Sequence, residues 1–172
     1  RYARLHDMLD LPRYVMLVRD IRATLISNYV KWRARYGVDF SVYVRGDVSG
    51  RRYNSDLWWA LRFLDGWGAV HARAPGRVLL VRYEDLQQDT ATELARVAAH
   101  FRLDLAPAAL AHGIAVSDKA SMQARDDPRR PPGAVRVDDD GDPTFSASDR
   151  AFLTAVCTRC LRYPAGYDYT CW

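Results

Sequence analysis

The stretch Val15-Met-Leu-Val-Arg-Asp-Ile-Arg-Ala-Thr-Leu-Ile-Ser27 carries an apolar run that ends abruptly in Arg19 and Asp20 and then changes to helical spacing. The run Tyr14–Val18 is short, apolar and rich in β-branched residues, which predicts a strand buried on both faces of a parallel sheet. Arg19 then falls at the carboxyl end of that strand, the edge at which open α/β sheets bind their ligands. Asp20 is the expected N-cap of a helix along which Ile21, Leu25, Ile26, Tyr29, Val30 and Trp32 recur at helical spacing, and Ser27 lies about two turns into it. A guanidinium presents a planar fork of donors that suits phosphate oxygens, and a hydroxyl adds another donor with little bulk. Together Arg19 and Ser27 can clamp one phosphate. From the pattern alone the alternative stays open that Arg19 and Asp20 end a strand in solvent and that Ser27 packs against the sheet.

A second stretch, Arg77-Val-Leu-Leu-Val-Arg-Tyr-Glu-Asp-Leu86, is another buried-type strand, stopping at Arg82 and Tyr83. A helix is expected over about Thr90–Phe101, where Ala91, Leu94, Val97, Ala98 and Phe101 fall at apolar spacings. Two strand-then-helix units in one chain imply a parallel sheet with crossover helices, hence an α/β fold.

The two stretches together resemble the sulfotransferases that use 3′-phosphoadenosine 5′-phosphosulfate. In that family the 3′-phosphate motif is an apolar strand, an Arg, and a Ser eight positions later, the offset of Arg19 and Ser27. A later strand ends in Tyr-Glu-Asp-Leu, then a polar spacer and an amphipathic helix, as Tyr83-Glu84-Asp85-Leu86 through Phe101 reads. The resemblance gives Tyr83 a contact with the adenine, while Glu84 and Asp85 cap and orient a loop. Trp58, Trp59 and Trp67 match the family's tryptophan-rich helix in character, although Phe63 stands where a His is common. The likeness covers about residues 14–161 and implies a three-layer parallel sheet with flanking helices, a P-loop-like sulfotransferase fold, in a single domain over residues 1–172.

The family's lysine-bearing loop, which cradles the 5′-phosphosulfate at a helix N-terminus, has no counterpart here. Only Lys31 and Lys119 occur, neither in a Gly/Ser/Thr-rich turn after a strand. Arg1 opens in what reads as the approach to an interior strand, so the expectation is a chain lacking its N-terminal portion and inactive by itself.

At 172 residues and 49% hydrophobic, the chain can build one sizeable core. It has no apolar run of membrane-spanning length, and a cytoplasmic protein is expected. The net charge of +4, with nearly all of its 25 basic residues Arg, suits a polyanionic co-substrate or acidic acceptor. Nucleic acid is disfavoured as a partner because the arginines are dispersed and no nucleic-acid module is recognisable. Oligomeric state is not legible.

Residues 117–143 read as a long loop holding Arg125, Arg129, Arg130, Pro131, Pro132 and Gly133, then Asp138-Asp139-Asp140. A loop of this length is functional or disordered. The resemblance implies that a basic, glycine-containing segment here adds 3′-phosphate contacts, with Arg129, Arg130 and Gly133 the nearest matches, although the family's continuation is replaced by Ala134-Val135-Arg136. Residues 105–116 read as a short helix and 146–161 as a C-terminal helix carrying Cys157 and Cys160. One Cys-x-x-Cys without a second pair reads as buried or incidental thiols rather than a metal site, and no metal is expected.

Sulfuryl transfer moves a negatively charged group in line to an acceptor, so positioning and electrostatics do most of the work, and a base takes the acceptor's proton. His6 is the histidine upstream of the first motif where the family places such a base; its alternative is a surface residue. His71, His100 and His112 lie in helical patterns and read as structural. The resulting expectation is a bacterial-style sulfotransferase acting on a carbohydrate, lipid or small hydroxylated or amine acceptor. The competing class is a noncatalytic or kinase-like nucleotide-binding α/β protein.

Overall fold

The computed structural model describes residues 13–117 and 141–172. His6, Arg129, Arg130 and Gly133 therefore lie outside the described residues, as does most of the loop read over 117–143. The described chain alternates strands and helices: β1 (Tyr14–Val18), α1 (Ile21–Tyr36), α2 (Phe40–Arg45), α3 (Leu57–Arg73), β2 (Val78–Arg82), α4 (Tyr83–Gln88), α5 (Thr90–Phe101), α6 (Pro107–Val116) and α7 (Ala147–Cys160). It divides into two compact units, one of Arg1–Arg82 with Asp142–Trp172 and one of Tyr83–Gly141.

In the first unit β1 and β2 pair in parallel, from Tyr14 opposite Val78 to Val18 opposite Arg82. Parallel neighbours need a long crossover, here α1 to α3. The pairing confirms the parallel strand–helix reading; among the described residues the sheet has two strands. One expectation is corrected. Met16 and Val18 are buried, but Leu17 on the opposite face is 49% exposed, because side chains alternate across a strand and the helical core covers only one face of β1.

Helices α1, α3 and α7 begin at side-chain caps. Asp20 accepts a hydrogen bond from the Arg22 amide at 2.7 Å, and α1 ends at Gly37, whose φ of 60° is left-handed. Ser146 and Asp149 form a reciprocal capping box at the start of α7. Asp56 caps α3 through the Trp59 amide at 2.9 Å and accepts the Asp47 amide at 2.6 Å with its other oxygen. His71 donates from Nδ1 to the Val78 carbonyl at 2.8 Å, which ties α3 to the start of β2 and matches its structural reading.

The core gathers Ile21 and Leu25 from α1, Tyr43 and Val44 from α2, Leu57 and Leu61 from α3, Val78 from β2, and Leu153 and Cys157 from α7. Tyr43 is fully buried, its ring among those of Tyr29, Tyr36 and Tyr53, and its hydroxyl donates to the Ser55 carbonyl. Cys157 is buried, and desolvation pushes its thiol up to about 12, whereas Cys160 and Cys171 are exposed. The thiolate is the reactive form. At pH 8 a maleimide is therefore expected to label Cys160 and Cys171 within minutes and Cys157 only on denaturation, as read by peptide mass spectrometry.

The segment after α7 is docked on α3 at close quarters. The amides of Arg162 and Tyr163 donate to Asp65 at 2.8 and 3.1 Å, and a Cβ added at Gly68 would meet the Tyr163 Cβ at 2.3 Å. Gly68→Ala would raise helix propensity by up to about 1 kcal/mol. The clash falls on an atom fixed to the backbone, and such overpacking costs about 1–3 kcal/mol. A net loss of about 1–2 kcal/mol is expected, read as a fall of several degrees in Tm; an unchanged or raised Tm would show that the 162–166 segment yields freely.

The second unit contains α4 to α6. Tyr83, read from the sequence as the end of the strand, instead opens a short helix with Glu84 and Asp85 in its first turn. Acidic side chains are favoured there by the helix dipole. α5 has the limits read from its spacing, with Asp89 as N-cap accepting the Thr92 amide at 3.0 Å.

Candidate functional site

β1 delivers Arg19 to the carboxyl edge of the sheet, and Arg82 closes β2 beside it, in register with Val18. Arg19 is half-buried, as is Ser27 in the second turn of α1. The intervening turn is held from several sides. Asp20 caps α1 and bonds the Arg22 guanidinium, with Asp20 Oδ2 at 2.7 Å from Nη2. That hydrogen bond is the largest influence raising the Arg22 pKa, against opposing desolvation. A buried N-terminal helix turn leaves amides in need of acceptors. The Ile21 amide finds one in the Tyr169 hydroxyl at 3.0 Å, from a residue 148 positions away.

The chain end therefore forms part of this corner. Arg22 donates to the carbonyls of Asp168 at 3.2 Å and Cys171 at 3.3 Å, and its guanidinium lies 5.2 Å from the Tyr169 ring centroid and 5.6 Å from that of Trp172. The Arg82 guanidinium lies 4.5 Å from the centroid of Tyr167. Such contacts contribute about 0.5–2 kcal/mol each, according to exposure. Sequence reasoning missed Tyr167, Tyr169 and Trp172. Their one signal was the density of aromatic residues in 163–172, which does not say what they pack against.

Arg19 and Ser27 thus stand in one unit, at the two ends of a single turn and helix start. Tyr83 opens the other unit, with its hydroxyl accepting from Gln87 Nε2 at 3.0 Å. Two concavities in the first unit involve neither Arg19 nor Ser27. One is an open groove of about 590 Å³ along α3, lined by Trp58, Trp59, Phe63 and Cys160 among others. The other, about 200 Å³, lies between Met16 and Leu80 of the sheet, His71 of α3 and the 162–166 segment. Among the described residues no cluster of three or more acidic, His or Cys side chains could hold a metal ion, and no helix is long and apolar enough to cross a membrane.

A family model described as "Sulfotransferase family" matches residues 1–107 of the chain. No curated protein and no solved structure matches it.

Proposed function

The chain belongs to the sulfotransferase family, and from that premise we propose that it moves a sulfuryl group from 3′-phosphoadenosine 5′-phosphosulfate to a hydroxyl or amine of a carbohydrate, lipid or small-molecule acceptor. The observation that carries this reading is the position of Arg19 at the carboxyl end of β1, with Ser27 on the capped helix that leaves it. In this reading the two-stranded parallel sheet is part of a three-layer, P-loop-like sheet.

Arg19 supplies a bidentate fork to the nucleotide's 3′-phosphate and Ser27 a third donor. Tyr83 addresses the adenine, Arg129, Arg130 and Gly133 add contacts to the same phosphate, and His6 takes the acceptor's proton. The bound nucleotide brings the activated sulfuryl group. The chain's own residues hold its 3′ end so that the reacting end is presented in one orientation, and effects of positioning are large when reacting atoms must align.

The test is calorimetry on the protein carrying this chain at its natural length, comparing adenosine 3′,5′-bisphosphate with adenosine 5′-monophosphate. The bisphosphate is expected to bind at least about tenfold more tightly, since hydrogen bonds to a charged group contribute about 1.5–3 kcal/mol. Equal affinities would remove the 3′-phosphate site and this reading with it.

A further inference from the structure

We infer that Tyr169 is a positioning residue of the 3′-phosphate site, acting through the Ile21 amide to hold the turn that carries Arg19; the inference rests on the reading of Arg19 proposed above. Tyr169 is not itself one of the groups assigned to the nucleotide. Its hydroxyl accepts the first amide of α1, two residues beyond Arg19, at 3.0 Å, and the residue is 5% exposed. The same segment grips the helix start independently through Arg22, which bonds the Asp168 and Cys171 carbonyls and lies against the Tyr169 and Trp172 rings. It reaches the neighbouring strand end as well, where Tyr167 faces the Arg82 guanidinium, and Gly166 next to it has a φ of 86° that turns the chain. Trp172 is in turn held by Phe145 at 4.8 Å between ring centroids and by Arg150 at 5.3 Å.

Residues 166–172 therefore form a strap across the end of the sheet, tied to both strand exits. Its contact with α1 is made to a main-chain amide, so it constrains where the Arg19 to Ile21 backbone lies rather than where one side chain points. A two-point clamp such as Arg19 with Ser27 tolerates displacements of only about half an ångström. Loss of the phenol oxygen leaves the Ile21 amide buried without that acceptor, and the turn relaxes away from the geometry the clamp needs.

Tyr169→Phe keeps the ring and removes only the oxygen. At a temperature well below Tm, it is expected to weaken adenosine 3′,5′-bisphosphate binding about five- to tenfold and to leave adenosine 5′-monophosphate within about twofold. A purely structural role would not change the ratio between the two nucleotides. Arg19→Ala is measured beside it. If Arg19→Ala abolishes the preference for the bisphosphate and Tyr169→Phe leaves the ratio intact, the inference is overturned and the reading of Arg19 stands; if Arg19→Ala also leaves the preference intact, both fall. A measurement on the unsubstituted protein covers the case in which Tyr169→Phe does not fold. Because coupling is reciprocal, adenosine 3′,5′-bisphosphate, but not the monophosphate, is expected to slow hydrogen exchange at the Ile21 amide. Unchanged exchange there would overturn the inference.

Discussion

Replacing Arg19 with alanine is expected to cut the affinity for adenosine 3′,5′-bisphosphate about 100-fold while adenosine 5′-monophosphate changes by no more than about twofold. Each charge-assisted hydrogen bond contributes about 1.5–3 kcal/mol, and a guanidinium fork makes two to one phosphate, so a loss of about 3 kcal/mol corresponds to the 100-fold change. Arg19→Lys is expected to recover no more than about tenfold of this, since an ammonium is a point charge without the fork. Ser27→Ala removes a single neutral donor and should cost about fivefold. Calorimetry with both nucleotides reads all three variants, with thermal unfolding as the control for folding. Arg19→Ala binding the bisphosphate as tightly as the unsubstituted protein would remove Arg19 from the site.

The largest loss of stability is expected at Asp149. This carboxylate is fully buried at the start of α7, where it accepts from the Ser41 hydroxyl at 2.7 Å, from the Ser146 amide at 3.0 Å and hydroxyl at 2.7 Å, and from the Arg45 guanidinium. Burial works to raise its pKa, but the hydrogen bonds from Ser41, Ser146 and Arg45 outweigh it and hold the group at about 2. Breaking a buried charge pair costs about 3–5 kcal/mol. The Arg45 side chain is 36% exposed and regains some hydration, so Asp149→Ala is expected near the lower end, about 3 kcal/mol by urea unfolding.

The pH dependence has a definite sign. The folded-state pKa of Asp149 lies below its unfolded value, so its contribution is complete above about pH 4 and is lost as the pH falls toward 2. The stability difference between the unsubstituted protein and Asp149→Asn should shrink progressively through that window, by up to about 2 kcal/mol. A difference that stays constant from pH 5 to pH 2 would show that the carboxylate is not held ionised by these partners.

Much of the fold was legible because it is written in short-range pattern. The start of α1 follows from Asp20, whose carboxylate serves the amide two residues on, and α5 and α7 follow from apolar spacing, to which the structure adds Asp89 and Ser146 as N-caps. The helix Tyr83–Gln88 is not legible in the sequence because six residues are too short to show a helical period, and only the first-turn acids Glu84 and Asp85 point to a helix. Leu17 carried the same apolar signature as Val18, yet one is half exposed and the other buried. Residue type records a preference for burial, and what covers each face of a strand is a property of the other elements.

By itself the sequence determined the two parallel strands, the starts of α1, α5 and α7 and the spacing of Arg19 and Ser27, since caps, strand ends and helical periods depend on residues within a turn or two of one another. Only the tertiary structure decided that Tyr169 meets the Ile21 amide across 148 positions and that Asp149 meets Arg45 across 104. A buried amide or carboxylate requires a partner, but its chemistry does not say which distant residue supplies it. That choice follows from how the helices pack on the sheet, through burial of apolar surface that has no direction of its own.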